Sequence, residues 1–426
     1  MAAAIPVGRE KADVKPTLYR ILLLISLVHL FNDSIQAVFP AIYPILKDSM
    51  QLTYQQIGLI TFTLNFTSSI MQPLIGAYTD SRPSPYLLPV GMGFTFGGML
   101  TLAFADSYGL IMLSVLFVGF GSAVFHPEGS KVSYLAAGAK RGLAQSIYQV
   151  GGNAGQALAP LLAVFVFYRL GLFGSIWFTL VAAAAIAIQL YIARWYRQVL
   201  HDSNPFAAAG KARSTAAEPA AAWAEPLPDN SRKKQIWTAL SLLVFLVFVR
   251  SWYHAGISNF YAFYAIEAYG ISKETAQFFI FFFLAAGAVG TFVGGPLADR
   301  YGRRNMLFFS MLGSAPFALL LPYVGKSAAF LLLILIGFIV LSSFSVTVVY
   351  AQELMPGKIG MVSGLIVGLA FGMGALGSVA LGSLIDRTSL GFVMLLCAFL
   401  PLLGLLTMLL PSDATIRQWY SPDNKH

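Results

Sequence analysis

Twelve stretches of mostly apolar residues, each near twenty residues or longer, dominate this 426-residue chain. About twenty such residues carry a helix across the hydrocarbon of a bilayer. In that medium only elements that satisfy their own backbone hydrogen bonds can span. The stretches fall at 19–46, 55–79, 86–105, 108–130, 142–167 and 172–195, then at 236–268, 275–298, 304–325, 327–352, 359–385 and 389–411. They predict an all-α membrane protein of twelve transmembrane helices in two six-helix halves. Only 11% of the residues are charged, against about 25% in a soluble domain. A polar, Ala- and Pro-rich segment at 196–235 reads as a linker between a half at 1–195 and a half at 236–426. The polar, basic start of the chain leads into an apolar run too long for a signal-peptide core, so that run is expected as a retained first span.

The net charge of +9 would by itself suggest a nucleic-acid partner. Its distribution says otherwise. Of the 27 Lys and Arg, 21 fall on the terminus-bearing side of the predicted spans and five on the other, with Arg250 inside a span. That is a topology signal placing both termini in the cytoplasm. Cys397 is the single cysteine, so no disulfide framework and no cysteine-based zinc site is possible. Gly325-Lys326-Ser327 has the tail of a phosphate-binding loop, but Leu320 stands where its first glycine belongs. No HExxH or GxSxG sequence occurs. No enzyme activity, metal or cofactor is therefore expected.

The two halves repeat. GAYTDSRPSP at 76–85 and GPLADRYGRR at 295–304 each place a Gly, three residues, an Asp and then basic residues after an apolar run. Arg141, Ala144, Gln145 and Ser146 match Lys358, Met361, Val362 and Ser363 at nearly the same offset. Such a repeat suits transporters built from two six-helix halves. The second copy carries a full G-x-x-x-D-R-x-G-R-R motif in Gly295, Asp299, Arg300, Gly302, Arg303 and Arg304, and here the chain resembles the major facilitator superfamily. The resemblance implies the major facilitator fold and a cytoplasmic latch made by these residues with Gly76, Asp80, Arg82 and Arg141. The first copy lacks the G-R-R tail. HLFNDSIQAVFPAIYPIL at 29–46, FHPEGSKV at 125–132 and RGLAQSIYQVGGNAGQALAP at 141–160 are similar to the fosmidomycin resistance branch of that superfamily. This likeness implies proton-driven export of an antibiotic, fosmidomycin or a similar small anionic phosphonate, from the inner membrane of a bacterium. Uptake of a small organic anion by proton symport is the alternative on the same fold. The expected partners are the drug, protons and membrane lipid, with the chain a monomer.

A charge at the bilayer centre costs about 2.5–3.5 kcal/mol on insertion scales, so polar residues there mark candidate sites. His29, Asn32, Asp33 and Gln36 share one face of the first span, with Asp33 roughly 21 Å along it. Arg250, Tyr253 and His254 lie at a similar depth in the seventh. Gln149 and Asn153 line one face of the fifth, and His126 and Glu128 sit in the fourth. Proton coupling is assigned to Asp33, His29 and Glu128. Substrate binding is assigned to Arg250, His254, Asn32, Gln36, His126, Gln149, Asn153 and Tyr253. The plain alternatives are static ion pairs for Asp33, Arg250 and Glu128, buried neutral histidines, and amides that hold helices together. Asp33 and Arg250 are expected to face each other across the pseudo-twofold axis. The glycine runs of spans five and eleven are expected to form the moving interface.

Overall fold

The computed structural model describes residues 16–138, 141–202, 230–355 and 359–420. The predicted latch residues Asp80 and Arg141 lie outside what it describes at the side-chain level, as does residue range 203–229 of the predicted linker. Twelve helical spans run in the predicted order. The first half holds α1 (Tyr19–Met50), α2 (Tyr54–Ser81), α3 (Leu87–Ala103), α4 (Tyr108–Ala136), α5 (Arg141–Leu162, extended by a wider turn at Ala163–Phe167) and α6 (Ile176–Asp202). The second holds α7 (Asn230–Tyr269), α8 (Lys273–Tyr301), α9 (Arg303–Leu312, resuming as Ala315–Leu320), α10 (Lys326–Leu341, resuming as Phe344–Leu354), α11 (Ile359–Arg387) and α12 (Leu390–Phe399, running on as a tighter helix to Leu409). A short α13 (Asp413–Trp419) follows. Helices α6 and α7 both extend into the predicted linker, which is therefore shorter than 196–235.

Eight helical runs among the described residues are long and apolar enough to cross a bilayer. One of them, Ile147–His201, contains both α5 and α6, folded back at Gly171, whose φ of 61° suits a residue without a Cβ. The remaining spans are the polar-striped α2, the 17-residue α3 and α11. Helix starts are written locally. Thr53 accepts from the Gln56 backbone N–H at 3.1 Å while the Gln56 side chain accepts from Thr53 at 2.9 Å, a reciprocal cap for α2. Ser272 and Ser389 cap α8 and α12.

Within each half the packing is related by the repeat: α1 lies on α5 and α2 on α4, as α7 lies on α11 and α8 on α10. The halves meet along α2 against α11 and α5 against α8. At the end away from the chain termini this contact is tight. A Cβ on Gly58 would fall on the backbone of Ser378, and one on Gly382 on the backbone of Tyr54. The Asp386 carboxylate accepts from the backbone N–H groups of Tyr54 (2.9 Å) and Gln55 (2.7 Å), so the end of α11 caps the start of α2. Lys273 pairs with Asp48 beside it. Towards the terminus-bearing end a Cβ at Gly368 or Gly372 of α11, or at Gly295 of α8, would meet nothing. Among the described residues the halves are fastened to each other at the end away from the termini.

Candidate transport site

The first half builds a polar cluster on α1. His29 and Asp33 sit one turn apart, with Nε2 and Oδ1 3.5 Å from each other. His126 of α4 brings its Nε2 within 3.8 Å of the same oxygen. Asn32 Nδ2 donates to Asp33 Oδ1 at 3.0 Å, and Gln156 Nε2 of α5 donates to Oδ2 at 3.0 Å. Asp33 is 5% exposed and His29 2%, so the carboxylate is held almost wholly by protein. The His126 side chain, 26% exposed, is the most accessible member of the cluster.

The protonation of His29 is constrained by its other nitrogen. Nδ1 lies 2.8 Å from the Tyr148 carbonyl oxygen, which can only accept, so Nδ1 carries a hydrogen. A neutral His29 then points the lone pair of Nε2 at a carboxylate oxygen. Two electron-rich atoms at that distance repel unless a proton lies between them. The donor atoms of His29, Asp33 and His126 all lie within 4.8 Å of one another, close enough to share one small cation. The arrangement therefore suits the holding of a proton.

Glycine allows α5 to come this close. A Cβ on Gly152 would lie 2.5 Å from His29 Nε2 and 3.0 Å from Asp33 Oδ2. Gly151 and Gly155 are pressed on the backbones of Ser26 and Leu30. The glycine run of α5 thus packs α5 on α1 inside one half. Likewise Gly377 of α11 packs on Trp252 of α7. This corrects the expectation that the run of span five forms the moving interface, whereas in span eleven Gly377 packs within its half and Gly382 meets Tyr54 across the halves, as Gly58 meets Ser378.

The remaining predicted residues divide. Gln149 and Asn153 lie side by side on α5, 3.5 Å apart, with Gln149 exposed. His254 is half-buried, with its Nε2 3.5 Å from Ser258 Oγ and its ring against Phe283. These three and His126 remain open to a ligand. Asn32 is buried and turned onto Asp33 of its own helix, and Gln36, half-buried, accepts from Ser122 Oγ at 2.6 Å, which ties α1 to α4. Arg250 departs most from expectation. It does not pair with Asp33: its Nη1 donates to Ser343 Oγ (3.2 Å) and Thr347 Oγ1 (3.0 Å) of α10, inside the second half. Tyr253 is likewise buried there, beside Ile257, Tyr261 and Met394.

Glu128 is fully buried and stands outside the Asp33 cluster. Its Oε1 is 3.1 Å from Lys131 Nζ, and that ammonium also reaches Thr79 and, at 3.4 Å, the Gly76 carbonyl. The pair pins α4 to α2. Arg82 is exposed. In the second half, Asp299 is 75% exposed and 3.6 Å from Arg303. Arg303 Nη1 binds Glu353 at 2.8 Å and lies 3.8 Å from Asp413. The backbone N–H groups of Arg303 and Arg304 donate to Asp413, and Arg304 Nη2 donates to the Met408 carbonyl. Gly302, with φ 91°, makes the turn, and Arg300 lies over Tyr301. The second copy of the latch is thus fastened to α13 of its own half. Glu353, Asp413, Asp386 and Tyr148 escaped the sequence reading. The first three are ordinary acids at helix ends, and Tyr148 acts through its backbone carbonyl and through its ring, stacked on His29 with centroids 4.1 Å apart.

A family model for the major facilitator superfamily matches residues 22–367. The fosmidomycin resistance protein of Escherichia coli strain K12 is 47% identical over 397 residues, covering 93% of this chain and 94% of that protein. An uncharacterised transporter of the same type, YfnC of Bacillus subtilis strain 168, is 54% identical over 423 residues, 99% of this chain and 100% of that one. Among solved structures, a bacterial homologue of the human lysosomal transporter Spinster, inward-facing and occupied, superposes with a TM-score of 0.74 at 16% identity, covering 96% of this chain and 99% of that one. With twelve spans in two repeated halves, this multi-pass membrane transporter belongs to the major facilitator superfamily.

Proposed function

We propose that the chain exports a small anionic phosphonate antibiotic, fosmidomycin or a close relative, in exchange for protons. The observation that carries the reading is the His29–Asp33 contact with His29 Nδ1 committed to the Tyr148 carbonyl, because that geometry calls for a proton between the two side chains. The substrate class rests on the likeness to the fosmidomycin resistance protein. The chain sits in the bacterial inner membrane as a monomer among lipid, with both termini in the cytoplasm, in keeping with the bias of 21 Lys and Arg to five.

In this orientation the end fastened by Asp386 faces outward, and the halves admit the drug from the cytoplasmic end. The drug enters between the halves and meets His126, Gln149 and Asn153 on one side and His254 on the other. The halves then rock, the Asp386 cap on α2 lets go, and the drug leaves outward. A proton taken from outside loads the His29–Asp33 pair, the molecule returns, and His126 passes the proton to the cytoplasmic opening. Glu128 with Lys131 holds α2 to α4 through the cycle and moves with the first half as one body.

The test is drug uptake into everted vesicles under an imposed proton gradient. The wild type accumulates the drug and Asp33→Asn does not, while both bind it. A wild-type rate in Asp33→Asn removes the carrier assignment. Cells that gain intracellular drug on expression identify the uptake symporter instead.

A further inference from the structure

We propose that Arg250 holds a small inorganic anion, of the size and charge of chloride, as a fixed counter-ion inside the second half. This goes beyond the transport reading and does not depend on it.

Arg250 is 5% exposed in the middle of α7. A guanidinium stays charged and offers five N–H donors. Nη1 spends its donors on Ser343 and Thr347. Both hydroxyls send their own hydrogens to their own helix, Ser343 to Val340 and Thr347 to the Ser343 carbonyl, so they can only accept from Arg250. The Phe344 ring lies 5.3 Å from the guanidinium carbon, a contact that softens the charge without neutralising it. No carboxylate among the described residues pairs with Arg250. An unpaired buried charge costs several kcal/mol even after relaxation.

Against the guanidinium lies a small cavity walled by Arg250, Ser343, Thr347 and Thr407 together with Leu246, Leu307 and Met311. Thr407 also sends its hydroxyl hydrogen to its own helix, to the Gly404 carbonyl at 2.6 Å. Arginine therefore supplies the N–H donors of this wall, and the rest is apolar or already bonded. Positive charge, donors not spent on Ser343 or Thr347 and apolar walls select a compact, weakly hydrated monovalent anion, for which this cavity, near the size of one water, must widen slightly. A water would answer the donors and leave the charge; a phosphonate is too large.

The purified full-length protein tests this by thermal unfolding in sodium chloride against sodium gluconate at equal ionic strength, with bromide as a heavier probe. Chloride binding raises the unfolding temperature by about 2 °C for each tenfold rise above its dissociation constant. Arg250→Met, which keeps the bulk and removes the charge, abolishes the halide dependence while the protein still folds. Broadening of the chloride-35 resonance by wild type and not by Arg250→Met reports binding directly. Equal unfolding temperatures in chloride and gluconate, with no broadening, mean that the cavity holds water only and overturn the proposal. Competitive loss of the chloride effect on adding fosmidomycin overturns it too, since Arg250 would then belong to the drug.

Discussion

Asp386→Ala should shift the balance between the two ends of the transporter, and its size follows from the structure. The carboxylate accepts two backbone N–H groups at the start of α2, at 2.9 and 2.7 Å, and faces the positive end of that helix. Hydrogen bonds to a charged group contribute about 1.5–3 kcal/mol each when buried. Asp386 is exposed, so solvent reduces this to about 1–2 kcal/mol for the pair. The bonds join the two halves and exist only while this end is closed, so the whole of that energy is differential between states. The expected shift toward opening here is about 5–30-fold in population. The assay is the distance distribution between spin labels on Asp106 and Thr388, exposed residues of opposite halves near this end, with buried Cys397 left unlabelled. A second, longer distance should grow in the variant. An unchanged distribution in Asp386→Ala would show that the glycine packing and the Lys273–Asp48 pair close this end without the cap, and would refute the reasoning.

Gly152→Ala puts a methyl 2.5 Å from His29 Nε2, an overpacking worth about 1–3 kcal/mol; proton-driven efflux should fall at least tenfold in everted vesicles while drug binding persists. Lys131→Met removes the partner of buried Glu128 and the bridge to Thr79, so the detergent-solubilised protein should lose about 3 kcal/mol and unfold several degrees lower, whereas the double change with Glu128→Gln should recover most of the loss. Asp413→Ala removes the acceptor of the Arg303 and Arg304 backbone groups; limited trypsin digestion should then cut at Arg417 several-fold faster, with transport kept.

Much of this molecule can be read without coordinates, because a bilayer leaves a chain few choices. Uninterrupted apolar runs near twenty residues long must become helices, and all twelve appear, most within a few residues of their predicted bounds, with α4, α6 and α7 running six or seven residues further at one end. The motif at 295–304 and the repeat between the halves place the chain in its superfamily for the same reason: both are local strings. The polar face of α1 was legible too, since His29 and Asp33 are four residues apart on one helix. The partners of those faces were not legible. Helical periodicity says that Arg250 and His254 share a side of α7, yet a rotation of a few tens of degrees decides whether that side meets the cavity or α10. The structure turns Arg250 to Ser343 and Thr347 and leaves Asp33 to His29, His126, Asn32 and Gln156. The same holds for the glycines, whose role depends on which helix lies opposite, and for the second motif, whose arginines bind α13. The sequence by itself determined the spans, their repeat and the polar residues at the centre. Only the tertiary structure decided which of them meet, because that depends on helix rotation and crossing, which residue spacing along one helix does not encode.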